Sequence, residues 1–450
     1  MKNATNDSVE EVQKKWSTAI SIAIIGFLFF TFGFISWVNS ILIPYFKIAC
    51  ELTNFESYLV AFSFYIAYFF MSVPSSFILE KYGFKKGIMI GFFVMAAGAF
   101  LFIPAALSRQ YAIFLLGLFF IGTGLALLQS AANPYITIIG PIESAAQRIS
   151  IMGICNKVAG IIAPLALAAV ILKVSDNELF NLLESGTLGE AEKAALLDQF
   201  IRRVIWPYSF LGVLLLAVGI GIRFSPLPEI NTEQSNKDEE TTTGSEKTSI
   251  FQYPYLILGA LAIFFHVGTQ VIAIDTIIGY AKSMGINLLE AKTFPSYTLG
   301  ATMIGYILGI IAIPRFISQQ KALVICTITG LILSLGVLFV PGTVNFLGHH
   351  TGISIWFLCA LGLPNSLVYA GIWPLAIRGL GKFTKLGSSV MIMGLSGNAL
   401  ALVLYGYLAD LYHVRFAYII LIPYYIYLVF YAIYGYRIKS WKPEVRITNR

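Results

Sequence analysis

Residues 133–156 read NPYITIIGPIESAAQRISIMGICN, and a related pattern returns at residues 373–398, WPLAIRGLGKFTKLGSSVMIMGLSGN. Each copy runs from a proline to an Ile-Met-Gly triplet, over 19 residues in the first copy and 20 in the second. A second pair, NSILIPYFK at 39–47 and DTIIGYAK at 275–282, is separated by 236 residues, close to the 240 between the two prolines. Two matches at nearly one separation indicate that the second half of the chain repeats the first.

The composition is that of an integral membrane protein. Of the 450 residues 57% are hydrophobic and 12% are charged, with a mean hydropathy of +0.78, whereas soluble domains carry about 25% charged residues. Twelve runs reach the roughly 20 apolar residues that a spanning helix needs, and they do not alternate as barrel strands do. We number them spans 1 to 12, at 19–46, 57–79, 87–107, 111–139, 150–173, 204–224, 252–281, 293–314, 321–341, 353–377, 386–409 and 415–437. The predicted fold class is an all-α polytopic membrane protein with two pseudo-symmetric six-helix bundles.

The basic residues predict the orientation of the chain. The two tails and the loops predicted on the same side of the membrane carry 20 Lys and Arg residues. The loops predicted on the other side carry 9. Because cytoplasmic loops are enriched in Lys and Arg, we expect both termini to lie in the cytoplasm. The same bias explains the net charge of +7 without a nucleic-acid partner. The predicted segments are an N-terminal tail (1–18), a first bundle (19–224), a cytoplasmic linker (225–250), a second bundle (251–437) and a C-terminal tail (438–450).

Parallel repeats in a membrane chain indicate a secondary transporter, whose binding site lies where the two repeats meet. The four cysteines share no metal-ligand spacing, and the spans hold no cluster of acids, histidines or nucleophiles that catalysis would need. We therefore predict no enzyme, no catalytic residue, no metal site and no cofactor besides a coupling ion. A transporter-like nutrient sensor would carry a large soluble domain, for which the 26-residue linker is too small.

Uncharged hydrogen-bonding side chains recur inside the spans. An amide is both donor and acceptor, as the hydroxyls of a sugar require, and an unpaired amide in hydrocarbon is costly, which favours a hydrated cavity. The alternative is that these groups join packed spans by hydrogen bonds. We also expect the aromatic pair of span 10, four residues apart, to face the apolar side of a pyranose. The predicted substrate-binding residues are Asn39, Ser40, Gln129, Asn133, Asn156, Gln270, Tyr369 and Trp373.

Charged groups inside the spans are sparse. Asp275 is the acidic residue that lies well within a span, and it corresponds to Asn39 in the repeat. Intramembrane acids are functional by default, so Asp275 is the candidate for ion coupling. Lys157 lies at a depth where Gln129 could be its partner, and His266 is interpreted as a hydrogen-bonded packing residue. A proton, a sodium ion and uncoupled transport all remain open.

The pattern of twelve spans in two halves resembles the major facilitator superfamily. The loop after span 2, SFILEKYGFKKG, is similar to that superfamily's Gly-x-x-x-Asp-Arg-x-Gly-Arg-Lys motif in degenerate form. The segments NSILIPYFK, LTNFESYLVAFSFYIAYF and ALLQSAANPYITIIGP resemble the fucose–galactose–proton symporter family. The predicted gating residues, which would latch helix ends on the cytoplasmic side, are Glu80, Lys81, Gly83, Lys85, Lys86 and Arg148.

The resemblance implies uptake of a neutral monosaccharide, a hexose such as glucose, galactose or fucose. Asn39, Asn133 and Asn156 match amide positions of fucose permease, a member of that family. That permease carries carboxylates in spans 1 and 4 where this chain has Ser40 and Gln129, and neither of these side chains titrates. The function expected is ion-coupled hexose import by alternating access. A permease for amino sugars or peptidoglycan fragments and an uncoupled facilitator are the alternatives.

Overall fold

The computed structural model describes residues 20, 23–138, 145–173, 175–185, 188–225, 249–313, 315–380 and 383–441. In this part of the chain, eleven helices are long and apolar enough to cross a membrane. One of them, Asn54–Ser108, has 55 residues. At 1.5 Å per residue it would extend about 80 Å, more than twice the thickness of the hydrocarbon core. It holds two spans, because the backbone leaves helical geometry at Gly83 with φ 78° and ψ 167°. The prediction of twelve spans is confirmed.

The helices begin and end near the boundaries that hydropathy predicts. Span 1 is Ala23–Ala49, spans 2 and 3 lie in Asn54–Phe100 and Phe102–Ser108, span 4 is Tyr111–Ile138, span 5 is Ala145–Ile171 and span 6 is Ile205–Phe224. Span 7 is Pro254–Asp275 with Ile277–Ser283, span 8 is Phe294–Ala312, span 9 is Gln319–Phe339 and span 10 is Ile353–Ala360 with Gly362–Ile377. Span 11 is Thr384–Met393 and Gly397–Leu411 around the 3-10 turn Gly394–Ser396, and span 12 is the 3-10 turn Phe416–Ile420 followed by Leu421–Ile433.

Spans 1 and 7 are interrupted at matching places. In span 1 a helix over 23–37 gives way at Val38 to the helix Asn39–Ala49. In span 7 the helix Pro254–Asp275 is followed by Thr276, and the next helix begins at Ile277. Each interruption is therefore flanked by one member of the Asn39 and Asp275 pair that the repeat predicts. Val38 and Thr276 keep right-handed helical dihedral angles, so each interruption is a single-residue turn within its span.

Close helix contacts also recur in the two halves. A Cβ placed on Gly122 of span 4 would lie 2.0 Å from the carbonyl oxygen of Phe64 in span 2. A Cβ on Gly362 of span 10 would lie 2.0 Å from the carbonyl oxygen of Thr298 in span 8. Gly362 follows Gly122 by 240 residues, the separation of the two repeat prolines. Small residues let helix backbones approach this closely, and the repeat therefore extends from sequence to packing.

The membrane face on which spans 1 and 2 are joined is called the distal face here, and the face that carries the loop between spans 2 and 3 is called the proximal face. The loop between spans 5 and 6 forms two helices on the distal face, Asp176–Ser185 and Glu190–Ile201. The second is tied to span 1, because the Tyr45 hydroxyl donates to the Phe200 carbonyl and the two rings lie 4.5 Å apart. A short helix, Leu288–Ala291, precedes span 8 on the same face.

A β-hairpin between spans 9 and 10 was not predicted. The strands Thr343–Phe346 (β1) and His349–Gly352 (β2) pair antiparallel around Leu347 and Gly348, which have φ of 50° and 82°. The His349 ring nitrogen lies 2.6 Å from a carboxylate oxygen of Glu290, and this contact ties the hairpin to the short helix before span 8. Two four-residue strands give too short an alternation for sequence patterns to detect.

The predicted linker 225–250 lies almost wholly outside the described residues, as do the tail 1–18 and residues 442–450. The division into bundles 19–224 and 251–437 stays a prediction. The repeated contacts of spans 2 with 4 and 8 with 10 support it.

Replacing Gly122 by Ala should destabilise the protein. The added methyl group would meet a backbone carbonyl, which cannot rotate away, and overpacking of this kind costs about 1–3 kcal/mol. Gly221→Ala is the matched control, because nothing lies within 4 Å of a Cβ at that position. Thermal unfolding in detergent should show a lower Tm for Gly122→Ala than for the control, and equal values would contradict the packing described here.

Candidate functional site

A chain of polar and aromatic side chains crosses the interface between the two halves. The Gln129 amide nitrogen in span 4 donates to the Tyr68 hydroxyl in span 2 at 2.9 Å. The hydroxyl groups of Tyr68 and of Tyr369 in span 10 are near enough to interact electrostatically. Tyr369 stacks on Trp373, with ring centroids 5.5 Å apart and an interplanar angle of 25°. Two of the predicted groups, one amide and one aromatic pair, thus lie near Tyr68, a residue that sequence reasoning missed.

The polar groups of span 5 are arranged around Trp37 of span 1. The Trp37 indole N–H donates to the Asn156 amide oxygen at 3.3 Å, and the Asn156 nitrogen donates to the Phe29 carbonyl at 3.4 Å. The Lys157 ammonium lies 4.2 Å from the centroid of the Trp37 ring. Cation–π contacts are worth about 2 kcal/mol when desolvated, so the ring offsets part of the cost of burying Lys157. Among the described residues, no carboxylate forms an ion pair with Lys157.

Asn39 and Asp275 are buried without hydrogen-bond partners among the described residues. Asn39 is 0% exposed and Asp275 1%, and neither the amide atoms of the first nor the carboxylate oxygens of the second find a partner. The Tyr65 hydroxyl lies beside Asn39, outside hydrogen-bond geometry, and within electrostatic range of Asp275. Unpaired buried groups of this kind are rare because each costs about 1–3 kcal/mol or more when charged. Both positions therefore point to an occupant such as water, an ion or a substrate.

The remaining predicted binding residues differ in their surroundings. The Ser40 hydroxyl bonds to the Trp37 carbonyl at 2.9 Å, so its hydrogen is already used within span 1. Gln270 is half-buried and has no hydrogen bond in the described structure. His266 is buried, and its Nδ1 has no partner among the described residues. The His266 imidazole is near enough to the Lys157 ammonium to interact with it electrostatically. The side chain of Asn133 lies outside the described part of the chain.

Sequence reasoning also missed a buried amide in span 10. Asn365 accepts hydrogen bonds from Tyr425 at 2.8 Å and from Thr269 at 3.3 Å, and its amide nitrogen has no partner among the described residues. It lies four residues before Tyr369, on the same helical face. Tyr65 and Tyr68 in span 2 are three residues apart and also share a face. Polar residues that recur three or four positions apart along one span were the signal that could have identified both pairs, Asn365 with Tyr369 and Tyr65 with Tyr68.

The motif loop makes contacts within the first half of the chain. Gly83 supplies the break between spans 2 and 3. The Lys85 ammonium donates to the Ser225 carbonyl at the end of span 6, and the Lys81 ammonium lies 5.4 Å from the Tyr82 ring centroid. Within the described residues, no ion pair involves the four charged motif residues, Glu80, Lys81, Lys85 and Lys86. The side chain of Arg148 is outside the described part.

The distal face is closed by a contact between the two halves. The Asp410 carboxylate at the end of span 11 accepts from the backbone N–H groups of Asn54 at 3.1 Å and Phe55 at 2.7 Å, and from the Asn54 side chain at 2.6 Å. It thereby caps the first turn of span 2, where unpaired N–H groups favour a negative charge. Directly below, the rings of Tyr58 and Tyr405 pack edge to face at 5.5 Å. On the proximal face spans 2 and 11 also touch, where the hydroxyls of Ser76 and Ser389 lie 3.2 Å apart.

A cavity of about 390 Å³ lies beneath this closure, between the two halves. Its walls come from spans 1, 2 and 7 and from the segment before span 12. The buried carboxylate of Asp275 is part of its lining. The polar lining residues are Lys47, Glu51, Asn54, Ser57, Tyr58, Asp275, Lys282 and Ser283.

Twelve spans in two matched halves, with buried unpaired polar groups where the halves meet, define a membrane transport protein. The chain belongs to the Major Facilitator Superfamily, whose family model matches residues 25–396. The resemblance predicted from the sequence is confirmed.

Two curated relatives and one solved structure match nearly the whole chain. The glucose/galactose transporter of Brucella abortus (strain 9-941) is 33% identical over 411 residues, which cover 91% of this chain and 92% of the relative. The L-fucose-proton symporter of Escherichia coli (strain K12) is 29% identical over 396 residues, 88% of each chain. The crystal structure of the transporter FucP in the outward conformation matches with a TM-score of 0.68 at 26% identity, covering 95% of this chain and 100% of that one.

Removing the Asp410 carboxylate should open the distal face. Hydrogen bonds to a charged group contribute about 1.5–3 kcal/mol, and loss of 1.4 kcal/mol shifts an equilibrium about tenfold. In a background without the four native cysteines, Ser57→Cys reports opening, because Ser57 is 1% exposed and lines the cavity. Asp410→Ala should raise the labelling rate of this cysteine by an impermeant thiol reagent about tenfold.

Asp198→Ala is the matched control for that variant. Asp198 is an acid of the same face, but its ion pair at 3.4 Å is with Arg109 of the same half. An equal rate increase in both variants would show that Asp410 does not hold the halves together.

Proposed function

We propose that the protein imports a neutral hexose by alternating access, with the sugar held between the two halves. One observation carries the proposal: the hydrogen-bonded pair Gln129 and Tyr68 of the first half lies near enough to the stacked pair Tyr369 and Trp373 of the second half for the two tyrosines to interact electrostatically. Hydroxyl and amide groups suit the hydroxyls of a sugar, and flat rings suit its C–H face. The printed names of the relatives, glucose/galactose transporter and L-fucose-proton symporter, support the same substrate class.

The charges around the site favour a neutral substrate. Lys157 is buried over the ring of Trp37, whose indole donates to the proposed sugar contact Asn156, and it has no described carboxylate partner. An ammonium group on an amino sugar would be repelled by it, and like charges that approach in a medium of low dielectric cost several kcal/mol. The proposal therefore places glucose, galactose or fucose ahead of amino sugars and charged peptidoglycan fragments.

The location follows from the distribution of Lys and Arg. We place the protein in the bacterial inner membrane as a monomer, with the proximal face and both termini in the cytoplasm. The distal face, with its capped span 2 and its cavity, then faces the outside. Coupling to an ion is assigned to Asp275, since the carboxylates that fucose permease carries in spans 1 and 4 are Ser40 and Gln129 here.

Truncating the proposed sugar contacts should abolish uptake. Gln129→Ala leaves the Tyr68 hydroxyl without its partner, and Asn156→Ala does the same to the Trp37 indole. An unpaired buried group costs about 1–3 kcal/mol, so hexose uptake in either variant should fall about tenfold or more. Asn345→Ala, in the exposed β1 strand, should transport normally. Unchanged uptake kinetics in both test variants, with normal membrane insertion, would remove the proposed site.

Asp275→Asn should separate coupling from sugar binding. The amide keeps the shape of the side chain but carries no titratable group. We expect the variant to lose accumulation against a gradient and to retain counterflow of labelled hexose in proteoliposomes. Accumulation equal to that of the unmodified protein would assign coupling to another residue.

A further inference from the structure

The cavity beneath the distal face reaches the carboxylate that the proposed function uses for coupling. Asp275 is 1% exposed and still lines this space of about 390 Å³. Both carboxylate oxygens are without partners among the described residues. The cavity exceeds by far the roughly 30 Å³ that one water occupies in the liquid, and its polar walls can hold several. The cavity therefore extends from the distal side to Asp275 while Asp410 still caps span 2, and the two carboxylate oxygens are buried at its inner end in this conformation.

The groups around the cavity decide which ion can be held there. Metal cations are bound by several oxygen ligands at once. The second carboxylate of the lining, Glu51, already pairs with Arg109 at 3.5 Å and with Lys193. Lys47 and Lys282 also line the cavity and lie within electrostatic range of each other. A sodium ion would meet two ammonium groups and one available carboxylate, whereas a proton needs only one carboxylate oxygen.

Other titratable groups near Asp275 are hydroxyls and one distant acid. Tyr58 and Tyr65 approach it from span 2. Asp410 of span 11 lies near Lys47 and Tyr58 but is engaged by the N–H groups of span 2. These groups leave Asp275 as the acceptor at the inner end of the cavity.

We propose that this cavity is the entry route of the coupling ion, that it delivers protons and not sodium ions to Asp275, and that it does so apart from the proposed sugar contacts Gln129 and Tyr369, neither of which lines it. The proposal rests on the sugar transport proposed above. A proton from water on the distal side forms an O–H bond with one carboxylate oxygen of Asp275. The same proton returns to water on the proximal side after the halves have rearranged. The sugar contacts at Gln129 and Tyr369 keep their protons throughout.

Filling the cavity tests the route. Gly279 lines it, and a Cβ there would meet only the Tyr58 hydroxyl, at 3.6 Å. Gly279→Leu should therefore block the space without overlapping the backbone. Gly221→Leu is the matched control, since that glycine is exposed on span 6 with open space beside it.

The measurement is hexose uptake into proteoliposomes under an inward gradient of protons or of sodium ions. One pH unit can sustain about a tenfold accumulation if one proton moves with each sugar. The unmodified protein and Gly221→Leu should accumulate sugar with the proton gradient alone. Gly279→Leu should lose about tenfold in proton-driven uptake and retain counterflow. Normal proton-driven uptake in Gly279→Leu, or accumulation driven by sodium alone, would overturn the proposal.

Thiol labelling tests the same route without transport. In the background lacking native cysteines, Asp275→Cys should react with impermeant reagents added at the distal side, and faster with an anionic reagent than with a cationic one. Lys47→Met with Lys282→Met should remove that preference, and Gly279→Leu should slow both reactions. Labelling unaffected by Gly279→Leu would contradict the route. If no hexose shows counterflow, the proposed function fails, while the labelling result still decides whether the cavity leads to Asp275.

Discussion

Hydrocarbon offers no hydrogen bonds, and this constraint organises the polar groups of the protein. Each polar side chain within a span must pair with the protein or face water. Several satisfy the constraint inside their own helix: Ser130 bonds to the Ala126 carbonyl at 2.9 Å, and Thr302 bonds to that of Thr298 at 2.9 Å. Such residues need no further partner. Asn39 and Asp275 are buried and find none among the described residues, and the contrast identifies them as the groups that water or a ligand must satisfy.

The same constraint explains why the halves meet as they do. A span can separate from its neighbour only if the groups it exposes are hydrated or apolar. On the distal face the contact includes one carboxylate over the open N–H groups of span 2, an edge-to-face tyrosine pair, and Gly406, where a Cβ would lie 3.0 Å from the Cα of Phe55. Both sides of that contact can be hydrated when they separate. The tighter glycine contacts, Gly122 on Phe64 and Gly362 on Thr298, lie within each half, where no separation is required.

Hydropathy was enough to predict the spans, because it depends on a pattern local to one helix. The repeat was enough to relate Asn39 to Asp275, because the two halves are separated by a nearly fixed offset. Side-chain partners were harder to predict. Gln129 was one possible partner of Lys157, and the contact that the structure shows is with the ring of Trp37, which is 120 positions away in the sequence. Tyr68, which bonds to Gln129 and lies near Tyr369 of the second half, looked like one aromatic among many. Contacts of this kind depend on how helices rotate against each other, and hydropathy carries no information on that rotation.

The amide at Gln129 has a consequence for coupling. In a symporter whose sugar-binding carboxylate also titrates, loss of the proton changes the sugar contact directly. Gln129 donates to Tyr68 through a group that does not titrate near neutral pH, so its contact is the same before and after a proton moves. In our proposal the effect of the proton then travels from Asp275 to the sugar. The described residues offer Tyr65, which lies within range of Asp275 and beside Asn39. In our proposal the single-residue turns at Val38 and Thr276 make that transfer, since Asn39 and Asp275 flank them.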